Sequence, residues 1–100
     1  MRTKDFDAYL SKKLQDMDYR REYLLELMTT IDGEAGLSLF DALKDIIATM
    51  GVTEFARLVD MERSTVSRLL SQEKLPKVET LDRLLSPFGL RTKIDVEDVA

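Results

Sequence analysis

Apolar residues return every three or four positions along most of this chain, and the run is interrupted at Gly33, Gly36, Gly51, Pro76, Pro87 and Gly89. A stripe of that period lies on one side of a helix, and each interruption cuts a helix short. The fold that follows is all-α, a bundle of five to six short helices packed stripe against stripe. Phe6, Tyr9, Leu10, Leu14 and Met17 predict a first helix from Asp5 to Gln15. Tyr19, Tyr23, Leu24, Leu27, Met28 and Ile31 predict a second, capped by Asp18 and running to Thr30. The two glycines of residues 32–36 then predict a loop.

Ser38 with Asp41 three positions on resembles a capping box, and it opens a stripe of Leu39, Phe40, Leu43, Ile46, Ile47 and Met50 that Gly51 ends. Thr53 is the expected cap of a short fourth helix carrying Phe55, Ala56 and Val59, and the pattern restarts at Arg63 with Val66, Leu69 and Leu70. Helices this short and this closely joined must cross steeply. If Glu62 is the N-cap of the second of them, Met61 and Val66 stand at the spacing of a hydrophobic staple. Asp60 falls where the chain reverses, a place that favours a left-handed backbone. After a polar loop at 72–77, Val78, Leu81, Leu84 and Leu85 predict another helix, which Pro87 should end or kink by pushing Ser86 out of the α region. Phe88 and Leu90, which follow this break, are expected to be exposed and to form a contact between two copies of the chain.

The tail changes period. Leu90, Thr92, Ile94 and Val96 alternate with Arg91, Lys93, Asp95 and Glu97, which predicts one half-buried strand over Leu90 to Val99. No other strand pattern exists to pair with it, leaving two readings: pairing with a symmetry mate or another protein, or a ragged tail lying on the helices. One hundred residues fit a single domain, divided into a helix pair and loop (1–36), a helix-turn-helix region (37–89) and the tail (90–100).

Composition narrows the chemistry. The chain has neither cysteine nor histidine, so it lacks thiolate nucleophiles, disulfides, the commonest transition-metal ligands and the usual acid/base group near neutral pH. The acidic pairs Asp5 with Asp7, Asp16 with Asp18, and Asp95 with Glu97 and Asp98 read as solvated charge near helix starts or on a tail. There is no nucleophile elbow, glycine-rich phosphate loop or zinc-protease motif. We therefore expect no enzyme, no catalytic or metal-binding residue and no cofactor. With no stretch of signal-peptide or membrane-spanning character, a cytoplasmic protein without a membrane partner is expected.

The segment that carries function is Val52 to Ser71. A helix-turn-helix needs a small residue where its helices touch, here Ala56, and inward apolar residues, here Phe55, Val59, Met61, Val66 and Leu69. That core turns Arg63, Ser64, Thr65, Ser67 and Arg68 outward, hydroxyls flanked by guanidinium groups, a set suited to phosphates and base edges in a major groove. The net charge of −4 opposes a nucleic-acid partner, but residues 57–77 hold five basic against three acidic residues. Lys74 belongs to this basic stretch and joins the candidate DNA-binding set. Glu54 and Glu62 lie close to where phosphates would pass and repel them.

Several segments, in order, are similar to one family: Asp7-Ala8-Tyr9-Leu10, Leu14-Gln15-Asp16 and Glu22-Tyr23-Leu24; then Leu39 to Ile46 and Met50-Gly51-Val52-Thr53; then Gly89-Leu90-Arg91. With the helix-turn-helix segment, they resemble the HigA-like antidote (antitoxin) proteins of addiction modules, which carry a helix-turn-helix of the phage-repressor type (Xre, Cro and cI). The resemblance implies a lambda-repressor-like bundle and a homodimeric repressor binding an inverted-repeat operator in double-stranded DNA. It also implies autoregulation of its own operon and neutralisation of a cognate RelE- or HigB-like toxin. It places Arg63, Ser64, Thr65, Ser67 and Arg68 against DNA and Thr53 against the backbone. The chain departs from the family at Glu54, Asp60 and Glu62, where Gln, Gly and Ser are common, and at Pro87. The alternative reading is a stand-alone helix-turn-helix regulator, or a protein-interaction module in which this motif is only scaffold.

Overall fold

The computed structural model describes residues 4–98. It is all-helical, with α1 (Lys4–Lys13), α2 (Met17–Met28), α3 (Leu39–Met50), α4 (Val52–Val59), α5 (Arg63–Leu70), α6 (Val78–Leu85) and a 3-10 turn (Ser86–Phe88). Among the described residues, no helix is long and apolar enough to cross a membrane.

The most apolar helix is central. Ala42, Leu43, Ile46, Ile47 and Met50 of α3 are buried, and α1, α2 and α4 pack around it. Leu10, Leu14 and Leu24 cover it from one side, and Phe55, Val66, Leu84 and Phe88 complete one contiguous core from the other. Ser38 opens α3 by accepting a hydrogen bond from the Asp41 amide at 3.2 Å.

Several boundaries differ from the sequence reading. The N-cap of α2 is Asp16 rather than Asp18, which stands in the first turn, so Met17 opens α2 instead of extending α1. Phe6 and Tyr9 were expected in the first stripe yet are exposed, and α1 is anchored by Leu10 and the following Leu14. Thr53 does not cap α4. Gly51, at φ 100°, ends α3 and starts α4 by itself, so the chain is already helical at Val52 and Thr53 lies one residue inside.

The loop before α3 turns at Asp32 and Gly33, both at positive φ, the pattern of a type I′ turn, and Ile31 and Glu34 exchange backbone hydrogen bonds across it. Gly36 is needed there for space: a Cβ would collide with the backbone of Met28 and Thr29.

Pro87 does end α6, but Ser86 stays in the α region at φ −54° and ψ −42°. The chain tightens into the 3-10 turn with Pro87 near its start, where a missing N–H costs nothing. Phe88 was expected to be an exposed dimer contact. It is instead fully buried, its ring centroid 6.3 Å from that of Phe55.

The expected C-terminal strand is absent among the described residues: 90–98 run without helix or ladder, and Val99 lies outside them. A strand is defined by its partner, and none is supplied among the described residues of a single copy.

Candidate nucleic-acid interface

Helix α4 packs against α5 across a short turn. Asp60 takes the left-handed conformation, φ 54° and ψ 49°, as its position demanded, and its N–H and that of Met61 close α4 onto Arg57 and Ala56. Arg83 of α6 secures the same place, its Nη2 donating to the carbonyls of Asp60 at 2.9 Å and Val59 at 3.3 Å. Glu62 is the N-cap residue of α5, without a side-chain capping bond, and Met61 is half-buried beside the fully buried Val66.

Ala56, Val59 and Val66 are buried together, and Arg63, Ser64, Ser67 and Arg68 are exposed. Thr65 is half-buried, so it is a less open member of the set than its neighbours. Leu69, expected inside, is also only half-buried. Thr53 and Arg63 meet: Arg63 Nε donates to Thr53 Oγ1 at 3.0 Å, tying the start of α5 to the start of α4. A hydroxyl that accepts this bond still has its own hydrogen to donate. Lys74 is exposed in the loop after α5, and no hydrogen bond or ion pair ties it to the α5 face among the described residues.

Of the two acidic departures, Glu54 is partly neutralised by Arg57, whose Nη1 lies 3.2 Å from its Oε1. Both side chains are well exposed, so solvent weakens that pairing. Glu62 is exposed and has no such ion pair among the described residues. A negative charge there suits the positive end of α5 and opposes an approaching phosphate.

Sequence reasoning missed two cationic side chains that tie the helices together. Arg20 is 4% exposed. Its Nε (2.8 Å) and Nη2 donate to the Pro87 carbonyl, and its Nη1 donates to Leu14 O at 2.8 Å, with the guanidinium 5.9 Å from the Phe88 ring centroid. Burial lowers its pKa from the ordinary value, and the Asp16 carboxylate opposes that change. The signal was a charge four residues before Leu24 on the apolar stripe of α2. Lys44 likewise bridges from α3 to Gln72 O at 3.2 Å beyond α5, lying over the Phe40 ring. Compared with known protein families, curated proteins and solved structures, the chain matches none.

Proposed function

We propose that this protein is a DNA-binding transcriptional repressor that lays α5 in the major groove of double-stranded DNA. One observation carries the reading: Val66 is fully buried, and Arg63, Ser64, Ser67 and Arg68 stand exposed on the same helix. In this account Arg63 and Arg68 neutralise phosphates or donate in pairs to guanine, Ser64, Thr65 and Ser67 serve base edges and phosphates, and Thr53 and Lys74 reach the backbone. Two copies would place two such helices about 34 Å apart and read an inverted repeat.

The resemblance to HigA-like antidotes extends the proposal: a cytoplasmic antitoxin that represses its own operon and neutralises a RelE- or HigB-like toxin. The test for DNA is fluorescence anisotropy against the region upstream of the gene, with a random duplex as control. The account expects preferential binding that falls steeply with salt, and equal binding to both duplexes contradicts it. The test for the toxin is purification from the native cells, with a small basic protein from the adjacent gene expected to accompany the chain.

A further inference from the structure

Beyond Leu90 the chain leaves the helices and runs to residue 98 without helix, turn or bend. Its root is fastened: Leu90 N–H donates to Leu85 O at 3.3 Å, and the Thr92 amide donates to Asp82 Oδ1 at 2.7 Å, as does the Thr92 hydroxyl. Further out, Ile94 is 77% exposed and Val96 is 94% exposed. Two β-favouring apolar side chains on an unpaired extended backbone form a surface that calls for cover.

The Thr92 amide shows which edge is open. Along an extended chain the N–H and C=O groups of successive residues point to opposite edges. Thr92 turns its N–H toward the body, so in strand geometry the odd-numbered Arg91, Lys93, Asp95 and Glu97 aim theirs the other way. No backbone hydrogen bond is made by residues 93–97 among the described residues.

Charge decides what fits that edge. Arg91 and Lys93 precede Ile94, and Asp95 and Glu97 follow it, so the segment is complementary to itself when reversed. Antiparallel pairing centred on Ile94 sets Lys93 opposite the partner's Asp95 and Arg91 opposite the partner's Glu97. Sliding the strands by two residues sets Lys93 against the partner's Lys93 in one direction, or Asp95 against the partner's Asp95 in the other. In the single chain Lys93 and Asp95 face each other at 3.6 Å, both highly exposed, a weak pairing that is easily exchanged.

We infer that residues 90–98 are a dimerisation strand that pairs antiparallel with the same segment of a second copy of this chain, with Ile94 on the two-fold axis. The odd residues then exchange backbone hydrogen bonds, and Ile94 meets its mate in the non-hydrogen-bonded position, where side chains approach closest. The partner's Val96 stands opposite Thr92, which, with the tail residues around it and Leu24, Leu25, Met28, Leu81 and Leu85, lines a groove of about 400 Å³. This supplies the two-fold that the proposed repressor uses, but it rests on the tail's own pattern and its test needs no DNA.

The full chain contains no cysteine, so one introduced thiol reports alone. In Ile94→Cys the two Cα atoms lie about 4.5 Å apart, within disulfide reach, and mild oxidation should cross-link most of the protein on a non-reducing gel. In Val96→Cys the thiols sit about 13 Å apart along the strands and should cross-link at least about tenfold less. Light scattering should show a wild-type dimer at about 100 μM, as a Kd in the micromolar range would give. Lys93→Glu should be monomeric, and adding Asp95→Lys should restore the dimer, with helical circular dichroism unchanged throughout. A monomeric wild type, equal cross-linking of the two cysteine variants, or a dimer indifferent to Lys93→Glu overturns the inference. None of these outcomes bears on whether α5 binds DNA.

Discussion

Arg20 is a buried cation that joins the N-terminal helices to the end of the fold. It holds the Pro87 carbonyl from one side and Leu14 from the other, so it ties the start of α2 to the turn after α6. Arg20→Met keeps an apolar stem and removes every donor. Leaving those buried carbonyls unpaired should cost about 2–4 kcal/mol. In thermal unfolding that appears as a Tm lower by roughly 10–20 °C, and an unchanged Tm contradicts the role. Asp60 makes the opposite case. Its left-handed backbone is a strained state for any residue with a Cβ, and Arg83 contacts only its backbone. Asp60→Gly should therefore raise stability by up to about 1 kcal/mol, read from the same melting curves.

At the scale of elements, the root of the tail is set by one carboxylate. The Thr92 hydroxyl and amide hold the Asp82 pKa below its ordinary value of 3.8, Arg91 adds to the effect, and desolvation opposes it. A carboxyl held low in the folded state contributes stability above its unfolded pKa and loses it as pH falls through the folded one. The anchor should thus be intact at neutral pH and let go only in acid. Followed by NMR, the Thr92 amide resonance should hold steady until the pH drops below about 4, and Asp82→Asn should remove the titration. A midpoint above that value contradicts the anchor. This contact joins α6 to the tail across ten residues, and no local pattern announced it. The helices were legible because burial of one stripe imposes a period that any reader of the sequence can follow, and the reversal at Asp60 was legible because few residues tolerate its backbone. The caps at Asp18 and Thr53 were misplaced because several polar residues qualify as caps, and tertiary packing chooses among them. Phe88 was misread as surface because a helix break looks the same whether the next residue folds inward or outward. The strand could not form in one copy, although its alternation was plain.

For the whole molecule, the proposed DNA binding by an acidic protein requires a local excess of positive charge; Arg63 and Arg68 on the face of α5 contribute to it and Glu62 detracts from it. The outward residues of that face were read correctly from the sequence, Thr65 in part, because the buried Val66 fixes the rotation of the helix. Glu62→Gln should tighten DNA binding by about 0.5–1 kcal/mol at low salt, with the gain shrinking as salt rises. Arg68→Gln should weaken it by about 1–3 kcal/mol without disturbing the fold. The most direct test lets the full chain choose from a pool of random duplexes, followed by sequencing of what it retains. The account predicts enrichment of an inverted repeat with half-sites about one helical turn apart, lost when Arg63 and Arg68 are both replaced by Gln. A retained pool as random as the starting one, or the same repeat retained without those two arginines, contradicts it.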